Sequence, residues 1–234
     1  MRDGRRIAVV IPALDEERAI GRVLADVPAW VDRVIVADNG SRDRTADIAR
    51  ATGAIVVLEP EPGYGAACLA GLTQIGDADV VVFLDGDYSD HPEEMASLVD
   101  PIIGGAVDMV IGSRVLGTRE AGALTPQQRF GNWLATRLIR AFWGVRYTDL
   151  GPFRAIHAPA LASLGMSDRT YGWTVEMQIK AAIGGLRSVE APVRYRRRIG
   201  VSKISGTIKG TLKAGWKILT MIARLAICVP RARS

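Results

Sequence analysis

Two aspartates separated by one glycine have the clearest chemical potential in this chain. Asp85-Gly86-Asp87 directly follows five bulky apolar residues at positions 80–84. An apolar run of this kind, bounded by turn-forming residues, is typical of a fully buried strand in a parallel sheet. Acids at the carboxyl end of such a strand lie where open α/β sheets bind ligands, and oxygen ligands suit Mg²⁺ or Mn²⁺. The pattern predicts a divalent ion held for a nucleotide diphosphate, with an ordinary polar turn as the alternative.

A second acidic strand end occurs earlier in the chain. Asp38 follows the apolar residues 34–37 and precedes Ser41 and Asp43. Its carboxylate can accept hydrogen bonds from a nucleoside base or ribose. The alternative is helix capping by Ser41 or Asp43, which satisfies free N–H groups of the following helix. Both interpretations can hold together because Asp38 lies before the cap.

Several common catalytic patterns are excluded. The glycines of Gly63-Tyr64-Gly65 lack the Lys-Ser/Thr of a phosphate-binding P-loop and the three-glycine dinucleotide fingerprint, which argues against nucleotide triphosphate hydrolysis and nicotinamide binding. We expect these glycines to permit close packing and a sharp turn into a helix. His91 and His157 are the only histidines, and no Ser-His-Asp or Cys-His set is readable.

The elements that position these residues alternate between strand and helix. Predicted strands lie at residues 7–11, 34–37, 54–58, 80–84 and 109–112, and predicted helices lie at about 15–27, 45–51 and 65–75. This order predicts a parallel sheet wound with helices, in which several strand ends face one crevice. Beyond a loop at 113–125 we predict helices at 128–142 and 175–183 and strands at 153–156 and 188–193. The second half is expected to form a cap on the same domain.

Charge and composition limit the classes of molecule that this protein is expected to bind. The 234 residues carry a net charge of +5, and residues 194–234 contain eleven Lys and Arg but no acid. The positive charge is therefore a property of the C-terminal segment, which favours anionic lipid or a phosphorylated ligand over nucleic acid. Cys68 and Cys228 have no metal-ligand spacing. A cytoplasmic location is expected, because the N-terminus runs directly into a strand of five apolar residues and not into a secretory signal segment. No membrane span is expected, because no 18-residue window is free of charge.

The C-terminal segment has helical periodicity from 207 to 229. At 100° per residue its basic residues share one arc, and they are Lys209, Lys213, Lys217 and Arg224. Apolar residues occupy another arc, and they are Ile208, Leu212, Trp216, Leu219, Ile222 and Ala226. Such a helix can lie in the plane of anionic lipid headgroups. The alternative is that the apolar arc packs on the rest of the domain or on a second subunit.

Motifs along most of the chain resemble those of family 2 glycosyltransferases with the GT-A fold. Their order, over about residues 7–205, is similar to the dolichyl-phosphate mannosyltransferase and polyprenyl-phosphate glucosyltransferase branch. The motifs in the first half are residues 12–17, 36–45, 85–92 with Asp85-Gly86-Asp87, and Gly112-Ser113-Arg114. Those in the second half are residues 129–132, Asp149 with Phe153-Arg154, residues 172–177 and residues 192–203.

The resemblance implies a fold, a domain division and a set of site residues. It implies a mostly parallel α/β sheet flanked by helices in residues 1–205. The basic amphipathic helix and tail expected in 206–234 from periodicity depart from the family, since many polyprenyl-phosphate transferases continue into membrane helices. Ser89 stands where this branch often has a Gln that completes the metal shell. The implied donor-binding residues are Pro12, Leu14, Glu16, Asp38, Asp85 and Lys203; the implied metal ligands are Asp85, Asp87 and Ser89; the implied phosphate-binding arginines are Arg114, Arg129 and Arg198.

The implied activity is metal-dependent, inverting transfer of a hexose from a UDP- or GDP-sugar to a polyprenyl phosphate at the inner membrane face. A phosphate acceptor has a second pKa of about 6, so it attacks without a base. A hydroxyl acceptor needs one, for which Asp149 or Glu176 is the candidate. The alternatives are the same chemistry on a soluble metabolite and a non-catalytic, membrane-tethering protein. A homo-oligomer is a further possibility, and no nucleic-acid partner is expected.

Overall fold

The protein folds around one seven-stranded sheet. The computed structural model describes residues 1–200 and 208–228, with side chains described in 1–200 and 215–227. The strands are β1 (Ile7–Ala13), β2 (Arg33–Asp38), β3 (Ile55–Leu58), β4 (Val80–Phe83), β5 (Met109–Ser113), β6 (Arg154–His157) and β7 (Ser188–Pro192). The helices are α1 (Ile20–Asp26), α2 (Thr45–Ala51), α3 (Tyr64–Leu72), α4 (Met95–Ile103), α5 (Pro126–Trp143), α6 (Ala158–Leu164), α7 (Trp173–Ile183) and α8 (Ile208–Cys228).

The sheet order is β3-β2-β1-β4-β6-β5-β7, and of these seven strands β6 alone runs antiparallel to its neighbours. Strands β1 and β4 are central, and every residue of both is buried, which explains their continuous apolar sequences. Two core layers cover the sheet. One includes residues of α3, α5, α6, α7 and α8, and the other includes residues of α1, α2 and α4.

The predicted mostly parallel α/β sheet is confirmed, but the second half is more than a cap. Strands β5, β6 and β7 continue the same sheet, because β6 inserts between β4 and β5. The chain reaches this position through α5, which begins with a capping box at Thr125 and Gln128. Helix α6 was not predicted, since its seven residues directly follow β6 without an intervening loop.

Helix α8 packs on the domain, as the alternative interpretation of the C-terminal segment expected. Met221 and Ile222 are buried, and Ile218 and Leu225 pack against the same core layer. The predicted apolar arc is thus only partly right. Ile222 is buried, whereas Trp216 is 73% exposed. Of the predicted basic arc, Lys217 pairs with Asp168 at 2.8 Å, and the side chains of Lys209 and Lys213 lie outside the described residues.

Glycine at the start of α3 is required by a close approach of two chain segments. The Gly65 N–H donates to the Thr170 carbonyl at 3.1 Å, and a Cβ at Gly65 would lie 1.9 Å from the Asp168 carbonyl oxygen. The packing role that the sequence predicted for Gly65 is confirmed. Gly63 is similar, because a Cβ there would lie 2.0 Å from the Arg169 carbonyl oxygen.

We predict that Gly65→Ala lowers the melting temperature by about 5–10 °C, because backbone atoms must move to admit the methyl group. Gly131→Ala is the matched control. Nothing lies within 4 Å of a Cβ at Gly131, which is inside α5, so it should raise the melting temperature by about 1–3 °C. Thermal unfolding followed by circular dichroism measures both. Equal effects of the two variants would contradict the close-approach argument.

Candidate active site

Three neighbouring strands end at one cavity. Because β2, β1 and β4 are adjacent and parallel, their carboxyl ends meet at one edge of the sheet, where open α/β sheets bind ligands. A cavity of about 230 Å³ lies there. Predicted site residues that line it are Pro12, Leu14, Glu16, Asp85, Asp87 and Arg198. Four further lining residues with polar side chains were not predicted as site residues, and they are Asn39, Tyr64, Thr170 and Tyr171.

Three carboxylates are crowded into the turn after β4. Asp87 and Asp90 are buried, and Asp85 is partly buried. The Asp85 N–H donates to Asp90 Oδ2 at 3.2 Å. Burial raises the pKa of Asp85 well above its usual value, and the charges of Asp87 and Asp90 raise it further. Burial and the Asp87 charge likewise raise the pKa of Asp90 to about 7. This turn therefore favours a bound cation or proton.

Residues 196–199, which follow β7, hold the acidic turn in place. The Arg196 and Ile199 N–H groups donate to the carbonyls of Ser89 and Asp87 at 3.0 and 2.9 Å. The Arg196 guanidinium lies 3.3 Å from the centre of the Tyr88 ring, and its Nη2 donates to the Asp90 carbonyl at 3.0 Å. Tyr88 has a φ of 67°, an unusual conformation for a residue with a side chain. The segment therefore fixes a strained turn at the site.

Arg198 lies against two acidic side chains of the cavity. Its guanidinium contacts Asp87 at 3.2 Å and Glu16 at 2.9 Å. Its Nε is buried and has no hydrogen-bond acceptor among the described residues. An arginine so placed can add charge-assisted hydrogen bonds to a phosphate without leaving the site.

One wall of the cavity is built from the loops after β1 and β2. Asp38 is buried, and its Oδ1 has no hydrogen-bond partner among the described residues. Asn39 next to it accepts the Gly63 N–H at 2.7 Å and holds the segment before α3. Asp15 has a φ of 50° and its N–H donates to the Ser41 hydroxyl at 2.9 Å. These contacts tie the two loops together. Asn39 lines the cavity and the buried Asp38 lies directly behind it in the chain, so the predicted contact of Asp38 with a nucleoside stays a prediction.

The carboxylates fit a divalent ion that a substrate helps to hold. Asp85 Oδ1 is buried and has no hydrogen-bond partner among the described residues. No three His, Cys, Asp or Glu side chains in the described part of the chain converge into a ready metal site. Asp85 and Asp87 supply two carboxylates, and Mg²⁺ is commonly bound by one or two carboxylates together with substrate phosphates.

Ser89 lies next to Asp87 in the acidic turn. It is fully buried, and its hydroxyl and N–H both donate to Asp87 Oδ1. The Ser89 hydroxyl therefore orients the Asp87 carboxylate, and the predicted contact of Ser89 with a metal ion stays a prediction.

The two predicted bases lie outside the cavity lining and are engaged elsewhere. Asp149 is fully buried and receives Arg114 Nε and Nη2 at 2.8 and 2.7 Å. Burial disfavours the charged form, but Arg114 outweighs it and lowers the pKa of Asp149. Glu176 is buried, accepts the Ser167 and Asp168 N–H groups and pairs with Lys180. This geometry gives no support for either as a base.

The remaining predicted phosphate-binding residues have different outcomes. Arg114 is engaged by Asp149, and its guanidinium lies 5.0 Å from the Tyr195 ring centre. Arg129 is exposed in the first turn of α5. Lys203 lies outside the described residues. Their predicted contacts with phosphate stay predictions.

The fold agrees with the comparisons with known proteins. The pattern of the family described as glycosyl transferase family 2 matches residues 8–164. The chain belongs to this family, and it is a glycosyltransferase. The part of the chain that carries the acidic turn lies within the match.

Relatives extend the similarity over nearly the whole chain. A glycosyltransferase of Mycobacterium tuberculosis, itself uncharacterized, is 36% identical over 93% of this chain and 99% of its own length. A dolichyl-phosphate hexose transferase of Haloferax volcanii is 34% identical over 85% of this chain and 86% of its own. An undecaprenyl-phosphate mannosyltransferase of Micrococcus luteus is 29% identical over 88% and 90%. The predicted resemblance to the polyprenyl-phosphate branch is confirmed.

A solved structure shares the fold. Glucosyl-3-phosphoglycerate synthase of Mycobacterium tuberculosis, in complex with Mn²⁺, uridine diphosphate and phosphoglyceric acid, superimposes with a TM-score of 0.77 at 26% identity. The alignment covers 95% of this chain and 79% of the synthase. The predicted GT-A-type architecture is confirmed, and in agreement with the predicted divalent cofactor that synthase holds Mn²⁺ with its nucleotide.

We predict that Asp90→Asn stabilises the fold in a pH-dependent way. Because the folded-state pKa of Asp90 is raised to about 7, its contribution to stability is present below the unfolded pKa near 4 and is lost as the pH rises through 7. An Asn does not titrate and its side-chain oxygen can still accept the Asp85 N–H. The variant should raise the melting temperature by about 4–8 °C at pH 8 and by less than about 2 °C at pH 5. A shift that is equal at both pH values would show that the raised pKa is not the cause.

Proposed function

We propose that this glycosyltransferase moves a hexose from a UDP- or GDP-sugar to a polyprenyl phosphate at the membrane surface. The observation that carries this proposal is that both candidate general bases, Asp149 and Glu176, are buried and already paired with other groups of the protein. The acids that line the cavity, among the described residues, are Glu16, Asp85 and Asp87. Glu16 pairs with Arg198, and the other two suit a metal. A phosphate acceptor needs no base because it is already ionised at neutral pH.

The donor half of the reaction follows from the charges of the cavity. Breaking the bond between sugar and diphosphate leaves negative charge on the departing phosphate and positive charge at the anomeric carbon. A divalent ion held by Asp85 and Asp87 supplies Lewis-acid stabilisation of the leaving diphosphate. Arg198 adds a fixed positive charge and its free Nε–H. Asp38, next in sequence to Asn39 of the cavity lining, is the candidate to accept a hydrogen bond from the nucleoside.

For the acceptor half of the reaction, the candidate residues lie outside the cavity lining. Asp149 holds the Arg114 guanidinium, so Asp149 positions Arg114 for an acceptor phosphate. Arg129, exposed in α5, is the second candidate for that phosphate. Attack by an acceptor phosphate oxygen on the face opposite the leaving group inverts the anomeric centre. The dolichyl-phosphate and undecaprenyl-phosphate relatives support this acceptor class.

Transfer to a lipid requires contact with a membrane. None of the helices in the described part of the chain is both long and apolar enough to cross one. We therefore propose peripheral association with the cytoplasmic face.

A soluble phosphorylated acceptor is the second candidate. The observation that favours it is the similarity to a synthase solved with phosphoglyceric acid. Both candidates share the donor, the metal and a phosphate-bearing acceptor, so they differ only in what carries that phosphate.

A donor and acceptor panel separates the two candidates. UDP-glucose, UDP-N-acetylglucosamine and GDP-mannose are each incubated with Mn²⁺ and either polyprenyl phosphate in detergent or 3-phosphoglycerate. Nucleotide release is measured, and the product is identified by mass spectrometry. We expect one donor to be consumed with polyprenyl phosphate and not with 3-phosphoglycerate. Product with 3-phosphoglycerate alone would establish the soluble acceptor.

We predict that Asp87→Ala reduces transfer by about 1,000-fold or more, because the variant loses a carboxylate directed at the metal and the leaving diphosphate. Its fold should persist, since Asp87 lies in a turn outside the sheet. Asp47→Ala is the matched control, because Asp47 has a 73% exposed side chain in α2. Isothermal titration with Mn²⁺ and UDP should show binding in the control and none in Asp87→Ala. Near-normal transfer by Asp87→Ala, or full transfer in EDTA, would refute the metal role.

A further inference from the structure

Helices α5 and α8 each expose an apolar stripe opposite their buried face. On α5, Phe130 and Trp133 are 62% and 51% exposed, and their ring centres are 5.8 Å apart. On α8, Trp216 and Ile227 are 73% and 81% exposed, with Leu219 at 38%. At 100° per residue each set falls on one side of its helix. We call this set of five residues the outer face.

The two stripes look outward from the same side of the sheet. The inner side of α5 buries Ala135 and Ile139, and that of α8 buries Met221 and Ile222. All four belong to the same core layer. Because the exposed stripes lie opposite these buried residues on their helices, they face away from that layer together. Within the described part of the chain, both stripes are uncovered.

Every charged residue of α5 and α8 is basic. Residues 121–148 and 191–234 contain no Asp or Glu, and these two stretches include all of α5 and α8. Arg137 and Arg140 are exposed on α5, and Arg224 is exposed on α8. The Arg137 guanidinium lies 5.5 Å from the Trp133 ring centre, so cation and aromatic ring are presented together. An anionic partner complements this surface.

Both helices also contact residues that lie next to proposed site groups. Lys217 of α8 pairs with Asp168, which accepts the Thr170 N–H next to the cavity. Asn132 of α5 donates to the Thr148 carbonyl and accepts the Leu150 N–H, on either side of Asp149. A partner seated on the outer face therefore lies against the two helices that support the donor cavity and Arg114.

We propose that the outer face is the surface on which this protein docks to an anionic lipid bilayer. Trp and Phe side chains prefer the membrane–water interface, and neighbouring basic residues are attracted to anionic headgroups. Helices that lie in this plane do not need to span the membrane. The inference rests on the proposed lipid acceptor and deepens it, because docking here presents the helices next to the active site to the layer that holds a polyprenyl phosphate.

Vesicle flotation tests the docking surface with the full chain. The probes are vesicles of phosphatidylglycerol and phosphatidylcholine, compared with pure phosphatidylcholine. We expect salt-sensitive flotation with the anionic vesicles. Trp133→Ser/Trp216→Ser should reduce the bound fraction about tenfold, and Arg137→Gln/Arg140→Gln by about fivefold per residue at low salt. The matched control is Val189→Ser, which removes an exposed apolar side chain from β7 and should float like the wild type.

Three outcomes overturn the proposal. They are absence of flotation of the wild type, equal flotation of the wild type and both double variants, and a dimer in light scattering that the Trp double variant dissociates without vesicles. The last outcome would assign the outer face to a second copy of the chain. Titration with UDP and Mn²⁺ checks that each variant keeps its fold. Flotation without any transfer to polyprenyl phosphate would refute the proposed function and leave the docking surface intact.

Discussion

The site depends on an electrostatic conflict in one turn. Asp85, Asp87 and Asp90 lie within six residues at the end of a fully buried strand, where water does little to screen their repulsion. Arg198 offsets part of the repulsion because its guanidinium contacts Asp87. Protonation offsets another part, since the pKa values of Asp85 and Asp90 are raised. In the function proposed above, a divalent cation held by Asp85 and Asp87 would relieve the rest. On that proposal, the crowding that disfavours the turn in the free protein favours binding of a metal and its diphosphate.

The surrounding structure is organised to keep this turn from relaxing. The segment from Arg196 to Ile199 binds the turn through its backbone and through the stack of Arg196 on Tyr88. The opposite wall is built in a similar way. Glu176 fixes Ser167 and Asp168, and the chain that follows packs directly on Gly63 and Gly65. Glu176, which the sequence suggested as a candidate base, thus helps to hold a wall of the cavity.

Much of the fold and of the donor side was predictable from the sequence, because local patterns determine both. Apolar runs that end on acids identify buried parallel strands, and adjacent strand ends converge by topology alone, so the sequence located Asp85, Asp87 and Asp38 correctly at one sheet edge. The position of β6 was not predictable in this way, since antiparallel insertion depends on long-range pairing. The roles of Asp149 and Glu176 were also beyond reach, because whether a buried carboxylate is free or paired depends on residues distant in sequence. For α8, periodicity predicted a helix, but which of its sides is buried depends on the surfaces of α5 and α7.

The central claim is that the site activates the donor and leaves the acceptor to supply its own charge. A matched pair of acceptors tests this most directly: polyprenyl phosphate and the corresponding polyprenol, which differ only in the phosphate. With the preferred nucleotide sugar, Mn²⁺ and detergent held constant, initial rates of nucleotide release are measured from pH 6 to 9. The account predicts transfer to the phosphate at every pH above about 6.5 and none to the alcohol. Transfer to the polyprenol, rising with pH through the titration of a single enzyme group, would contradict it by revealing a general base.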